Sequence, residues 1–339
     1  MSTEIEWTDE TWNPTVGCSR VSDGCTNCYA IRVAGREMQD AHKGLTKFDD
    51  SGERRRGLDW TGEVRLLPDR LDTPLRWRKP RPVFVDSMSD LFHPDVDVEF
   101  ISEVWARMYQ AHQHTFQMLT KRPQRMAQVL SEPSFVEHVQ LVCEQFYDDP
   151  DEIYVQPEPW PPRNVWLGTS VEDQRYADLR IPHLLATPTA VRFLSIEPLL
   201  GPVDLRRFLF MEPGSAAILW RGVLADPPTN PKIGWVIVGG ESGPGARPTH
   251  PERVRSIRDQ CVAAGVPFFF KQWGEWAPID PSAWPTMGRW VDPVDGGTHG
   301  AEGPGRALMS KLGKKAAGRE LDGRTWDEYP LVSQSEETR

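Results

Sequence analysis

Trp235-Val236-Ile237-Val238-Gly239-Gly240-Glu241-Ser242-Gly243 joins four apolar residues to a glycine-rich polar turn. A short apolar run with no alternation reads as a strand buried on both faces, and the turn reads as its C-terminal end. The same pattern recurs along the chain. Val83-Phe84-Val85 leads to Asp86-Ser87-Met88-Ser89-Asp90, and Phe116-Gln117-Met118-Leu119 leads to Thr120-Lys121-Arg122-Pro123. Val165-Trp166-Leu167 leads to Gly168-Thr169-Ser170, and Arg192-Phe193-Leu194 leads to Ser195-Ile196-Glu197-Pro198. Phe268-Phe269-Phe270 leads to Lys271-Gln272-Trp273-Gly274, and a first strand is expected near Glu10-Thr11-Trp12-Asn13.

Helical stripes fill the intervals. Ile101, Val104, Trp105 and Met108 share one face, as do Val254, Ile257 and Cys261. Pro123 and Pro251 fit first helical turns. Strand then helix, repeated about six times, implies parallel βα units. Polar residues at every strand end, in place of one dominant phosphate-binding turn, favour an α/β fold built as a parallel (β/α) barrel, full or partial, over an open doubly wound sheet. The reading places the barrel in residues 1–276, with insertions near 134–163 and 206–232. The stripe Phe135, Val139, Val142, Cys143 and Phe146 falls in the first of these. Residues 277–339 form an extension with a basic helix candidate, Arg306 to Arg319, and a tail expected to be disordered from Ser333.

The 339 residues carry 39 Lys and Arg against 49 Asp and Glu, a net charge of −10, so the chain is not a general nucleic-acid sponge. Its basic residues cluster, in Arg54-Arg55-Arg56, Lys121-Arg122 and Lys311 to Arg319, away from the acidic stretch Asp148 to Glu152. Fourteen tryptophans include anchors of the core and candidate stacking surfaces for a ring-bearing substrate. No apolar run approaches a membrane span, and the first residues do not read as a secretory signal. Five cysteines, three of them clustered, argue against a disulfide framework and point to a reducing cytoplasm.

That cluster is Cys18, Cys25 and Cys28, in C-x6-C-x2-C spacing. Gly17 and Gly24 each precede a cysteine, and glycine permits the φ values a metal-wrapping loop needs. Tyr29 opens a helix whose first N–H groups can face sulfur. Three readings are open: an iron–sulfur cluster with one open iron, a zinc site completed by a fourth ligand such as His42, or thiols without metal. Cys143 and Cys261 lie on apolar stripes and read as core residues. His93 and His112 read as surface or capping residues.

Glu6-Trp7-Thr8-Asp9, Trp12-Asn13-Pro14, Gly17-Cys18 and Cys25-x-x-Cys28-Tyr29-Ala30 resemble the phage-associated three-cysteine-motif family, which is radical-SAM-like. The resemblance continues through Asp86 to Phe92, Leu119 to Pro123, Gly239 to Gly243, Phe270 to Gly274, Lys314 to Arg319 and Leu321 to Trp326. Radical-SAM enzymes typically show C-x3-C-x2-C; here the first gap is six residues, and the aromatic Tyr29 follows the third cysteine. The resemblance implies a [4Fe–4S] cluster on Cys18, Cys25 and Cys28, and S-adenosyl-L-methionine as second cofactor. It implies reductive cleavage to a 5′-deoxyadenosyl radical that abstracts hydrogen from a substrate, with an electron donor as partner.

The barrel rule that residues past strand ends line the active face selects the remaining candidates. Ser195, Glu197 and Glu241 suit the ribose and ammonium of the cofactor. Lys121 and Ser170 suit its carboxylate, and Gly239 and Gly240 allow close backbone approach. Lys121, Glu241 and Lys271 are the candidate catalytic residues. A nucleobase in DNA or RNA is the expected substrate, with the run Lys311, Lys314, Lys315 and Arg319 as a candidate phosphate contact or a solvated face. A partner protein that completes the site is also open. The alternative function is a zinc protein without catalysis that binds nucleic acid or a partner.

Overall fold

The computed structural model describes residues 3, 5–36, 39–48, 57–145, 160–210, 231–282 and 288–330. Arg54 to Arg56, Phe146, the stretch Asp148 to Glu152, residues 146–159 and 211–230 of the two expected insertions, and the tail from Ser333 lie outside the described residues.

Seven strands form the main sheet: β1 (Glu10–Trp12), β2 (Pro82–Val85), β3 (Thr115–Thr120), β4 (Val165–Ser170), β5 (Val191–Ile196), β6 (Trp235–Gly239) and β7 (Phe268–Gln272). Neighbours pair in parallel and in chain order from β1 to β7. Such an order has no reversal and hence no doubly wound switch point. The hydroxyl-bearing ends Thr120, Ser170 and Ser195 belong to the ladders themselves, which carries polar side chains to the rim.

The sheet is curled into a half-barrel. Trp7 packs its ring 4.7 Å from Phe84 on β2, 6.2 Å from Phe193 on β5 and 6.2 Å from Trp235 on β6. In a flat sheet β2 and β6 would stand roughly 19 Å apart, at ~4.8 Å per strand. One indole reaches both because the sheet wraps around it. Trp166, Ile237 and Phe269 complete this interior. Gly168 makes room for it, since a Cβ there would lie 2.5 Å from the Phe193 ring.

A full barrel would need β7 to meet β1, and among the described residues these edges do not pair. The C-terminal segment takes the free edge instead. Phe269 bridges Asp327 in antiparallel sense, and Phe270 N–H donates to Trp326 O at 2.9 Å. Tyr329 stacks 5.0 Å from Trp235 and 5.5 Å from Phe269. An open edge is thereby covered.

Helices pack on the outer face, except the first, which sits in the loop after β1 within a small apolar cluster of its own. They are α1 (Tyr29–Ala34), α2 (Val98–Gln110), α3 (Pro123–Ser131), α4 (Pro133–Glu144), α5 (Gln174–Ala186), α6 (Arg206–Leu209) and α7 (Pro251–Ala264). Asp97 caps α2 by accepting from Phe100 N–H at 2.7 Å, and the stripe Ile101, Val104, Trp105 and Met108 is buried as its spacing requires. Pro123 and Pro251 occupy first turns, and Gly265 ends α7 in the left-handed region (φ 65°). Cys143 on α4 and Cys261 on α7 are core residues.

After β7 the chain forms β8 (Trp276–Pro278), β9 (Arg289–Val291), β10 (Thr298–His299) and β11 (Ala307–Lys311), an antiparallel sheet ordered β8-β11-β9-β10, then the short α8 (Lys314–Ala317). Ala277, Val291, Met309 and Leu321 join the main core. This corrects the expected basic helix from Arg306 to Arg319. Leu308, Met309 and Ser310 are buried between two partner strands, and Gly313 (φ 83°) separates the strand from α8. Lys311, Lys314, Lys315 and Arg319 therefore share no helical face. Arg319 instead pairs with Asp327 and lies over the Phe269 ring.

Filling the space kept open by Gly168 is expected to overpack the interior. Gly168→Ala should destabilise the protein by ~1–3 kcal/mol, measured by urea unfolding. Adding Phe193→Leu should recover part of the loss, because the clash is with that ring; a double variant no better than additive would refute the assignment.

Candidate active site at the strand ends

The C-terminal ends of all seven strands open into one cavity of about 570 Å³. Asn13, Asp86, Thr120, Ser170, Ser195, Gly240 and Gln272 each bring one strand end to its wall. Trp7 and Phe84 floor it, and Trp60 and Tyr29 stand at its side. Cys18, Cys25 and Cys28 line the same cavity, on the loop between β1 and α1. The volume falls in the range of cofactor sites.

Local chemistry shapes the cysteine loop. Gly17 takes φ 92°, and a Cβ there would meet Glu63 O at 2.2 Å. Gly24 has no such φ requirement; its constraint is space, because a Cβ would lie 2.4 Å from Glu172 Oε1. Asn13 Oδ1 accepts from Ser87 Oγ and Met88 N–H, both at 3.0 Å, which joins the start of the loop to the turn after β2.

Two buried carboxylates pin the loop to the barrel. Glu172, after β4, accepts from Ser22 Oγ at 2.8 Å, from Lys121 Nζ at 2.5 Å and from Arg180 Nη1 at 2.8 Å. Burial alone would raise its pKa, but Lys121 and Arg180 outweigh that and hold the carboxyl below its ordinary value. Glu241, after β6, accepts from Asn27 Nδ2 at 2.9 Å and from Arg247, whose Nη2 also donates to Asp23 O at 3.0 Å. Arg32 on α1 donates to Ser242 O at 3.2 Å.

All three cysteines are half-buried. Burial pushes the Cys18 thiol up to about 12, with Asp90 adding to the rise and Arg122 opposing it. Burial also raises Cys28, against the pull of the Ile31 and Ala30 N–H groups. In both Cys18 and Cys28 burial thus favours the protonated thiol. Around one zinc ion, sulfurs at ~2.3 Å from the metal lie within ~4 Å of each other. Among the described residues, the group with three ligating atoms within 4.8 Å of one another is Asp292, Asp295 and His299 in the C-terminal sheet, and the three cysteines are not such a group. His42, the zinc reading's fourth ligand, is buried and does not line the cavity.

The other sequence candidates fall as follows. Lys121, Glu241, Lys271, Ser170, Ser195, Glu197 and Gly240 line the cavity; Gly239 sits in β6, where its O accepts from Leu199 N–H. Lys271 Nζ donates to both oxygens of Glu197 at 2.9 Å, and Gln272 Nε2 adds a bond to Glu197 Oε1 at 3.2 Å. Lys121 and Glu241 are engaged in the two pins. A Cβ at Gly240 would lie 1.9 Å from Trp273 O, so the turn requires glycine for backbone approach. Lys314 reaches the cavity from α8 and pairs with Glu6 at 2.9 Å. His112 is exposed; His93 is buried, so of the two readings given for it the surface one fails, while its Nδ1 accepts from Asp95 N–H at 3.3 Å and its Nε2 bonds Ser19 Oγ at 2.8 Å.

The model of the family described as "Protein of unknown function (DUF5131)" matches residues 2–330. The chain belongs to the DUF5131 family. No curated protein and no solved structure matches it.

In this DUF5131 protein the residues that sequence reading passed over are the loop's anchors: Ser22, Asn27, Arg180 and Arg247. Arg180 could have been suspected from its place eight residues after Glu172, on the inner stripe of a helix that starts at Gln174. Arg247 likewise lies six residues after Glu241, whereas Asn27 carries no such signal, because 214 residues separate it from that carboxylate.

Asp86 at the rim is held in a left-handed backbone conformation. It takes φ 57°, is 2 % exposed, accepts Thr15 N–H at Oδ1 (3.1 Å), and its Oδ2 is buried with no hydrogen-bond partner. Burial pushes its carboxyl up to about 7, against the pull of the Thr15 N–H. The folded state thus binds more protons than the unfolded state between pH ~4 and ~7, so this residue's contribution to stability falls as pH rises through that window, at up to ~1.4 kcal/mol per unit. Asp86→Asn, which also tolerates positive φ, should remove that slope. Thermal denaturation of both proteins from pH 4 to 8 tests it; parallel profiles would contradict it.

Proposed function

We propose that this DUF5131 protein is a radical-SAM-like iron–sulfur enzyme whose substrate is a ring-bearing compound, a nucleobase in DNA or RNA. One observation carries the reading: three cysteines, with the chain's other two buried in helices elsewhere, line a cavity formed by seven parallel strand ends.

Cys18, Cys25 and Cys28 would hold a [4Fe–4S] cluster and leave one iron free of protein. When bound, such a cluster supplies an electron to S-adenosyl-L-methionine, whose homolysis yields methionine and a 5′-deoxyadenosyl radical. The protein's own part is binding, orientation and exclusion. The Glu197 and Lys271 pair presents a carboxylate and an ammonium, which would orient the polar ends of a zwitterionic cofactor. The Ser170 and Ser195 hydroxyls line the same wall and offer donors to its carboxylate and ribose. Glu241 and Lys121, first read as catalytic, act in this reading through the cysteine loop that they and their partners fix. Trp7 and Phe84 exclude water from the floor, and Trp60 and Tyr29 offer faces for a flat ring. An electron donor would approach from the side of the cysteine loop. The cytoplasm is the compartment this reading requires, since free thiols and a reduced cluster both need it. Among the described residues no helix is long and apolar enough to cross a membrane, and the reading requires no membrane partner.

Anaerobic reconstitution with iron and sulfide should give a brown protein with ~4 iron per chain and, after reduction, an EPR signal altered by S-adenosyl-L-methionine. Methionine and 5′-deoxyadenosine should appear together. Cys18→Ser, Cys25→Ser and Cys28→Ser should each lose most of the iron. A colourless protein that takes one zinc through the same cysteines would overturn the reading in favour of a zinc-binding protein.

A further inference from the structure

The Arg122 guanidinium, at the end of β3, has four acceptors. Nη1 donates to Cys18 Sγ at 3.7 Å and to Asp90 Oδ2 at 2.8 Å. Nη2 donates to Ser19 O at 3.0 Å and Ser19 Oγ at 2.8 Å. A planar fork held at both prongs has little rotational freedom, so the N–H that faces sulfur is preset rather than recruited.

The support behind it is equally fixed. Asp90 is 4 % exposed and accepts from Thr120 Oγ1 at 2.7 Å, Lys121 N–H at 3.1 Å and Phe92 N–H at 3.1 Å. Ser19 is held in turn by the buried His93. Among the described residues no other cationic side chain donates a hydrogen bond to Cys18, Cys25 or Cys28. The three sulfurs are therefore not equivalent: Cys18 meets a guanidinium that is paired with Asp90, while Cys28 feels the Lys121 ammonium without a hydrogen bond.

We propose that Arg122 is a positioning residue that makes Cys18 the electrostatically distinct ligand of the cluster and biases the cluster toward its reduced state, with Asp90 opposing it. This inference rests on the iron–sulfur reading of the same loop. Reduction by a low-potential one-electron donor adds one negative charge to the cluster and its thiolates. A cation in hydrogen-bond contact with one sulfur stabilises the reduced form more than the oxidised form, and the effect is strong in a dry site. Hydrogen bonds to sulfur and local charge are established levers on cluster potential. The carboxylate of Asp90, one bond further out, acts with the opposite sign.

The test is a potentiometric EPR titration of anaerobically reconstituted wild type, Arg122→Met, Arg122→Lys and Asp90→Asn, with iron, sulfide and thermal stability measured on each. Arg122→Met should disfavour reduction about tenfold, a midpoint lower by ~59 mV for one electron. Arg122→Lys keeps the charge and should fall between Met and wild type. Asp90→Asn should shift the midpoint the other way. Damage to the loop alone would lower iron content and stability without moving the midpoint of the cluster that remains, and would not give opposite signs. If Arg122→Met takes no cluster, the opposed shifts of Arg122→Lys and Asp90→Asn decide. Wild-type and variant clusters with one common midpoint overturn this inference alone; a wild type that takes no cluster overturns it together with the reading beneath it.

Discussion

The Glu172 carboxylate is fully buried and carries three charged or hydroxyl partners from three parts of the chain: Lys121 after β3, Arg180 on α5 and Ser22 in the cysteine loop. A buried ion pair adds little net stability over an apolar substitute, but loss of one partner leaves a charge stranded and costs ~3–5 kcal/mol. That asymmetry makes Glu172 a constraint on geometry. It forces the loop against the rim, and Gly24 is glycine because the carboxylate occupies the place of a side chain. Glu241 with Arg247 repeats the arrangement on the far side of the loop. A loop of this length with three thiols would otherwise sample many arrangements, at a backbone cost of ~1–2 kcal/mol for each residue ordered.

The curl of the sheet gives these pins a common focus. Strand ends after β2, β3, β4, β5, β6 and β7 converge because one aromatic interior, centred on Trp7 and Trp235, draws the sheet around itself. Among the described residues the seven strands do not close, and the C-terminal segment from Trp326 to Tyr329 covers the edge of β7. The same segment follows Lys314 on α8, which pairs with Glu6 beside the cavity. The extension after β7 thus both seals the seam and adds to the site wall.

The strands were legible because each is an apolar run buried on both faces, and the parallel order followed from the helices between them. The polar strand ends were legible as a class: Asp86, Lys121, Arg122, Glu197, Glu241 and Lys271 all line the cavity, as the barrel rule requires. Their individual roles were not, since sequence cannot say that Lys121 is spoken for by Glu172 while Ser170 faces open space. Closure was not legible either, because the seam is covered by a segment with no strand periodicity of its own. The basic run after Arg306 misled for a related reason. Lysines at helical spacing carry no information when a glycine with positive φ interrupts them, and the buried pair Leu308 and Met309 outweighs them in favour of a strand.

The central claim is that three thiolates hold one cluster with a single iron open to the cavity. Mössbauer spectroscopy of protein reconstituted with iron-57, recorded before and after S-adenosyl-L-methionine is added, addresses it directly. The account predicts a cubane spectrum in which one iron alone changes its parameters on addition of the cofactor, while the irons held by Cys18, Cys25 and Cys28 keep theirs. A spectrum of mononuclear iron, or a cubane whose irons all stay unchanged, would contradict it.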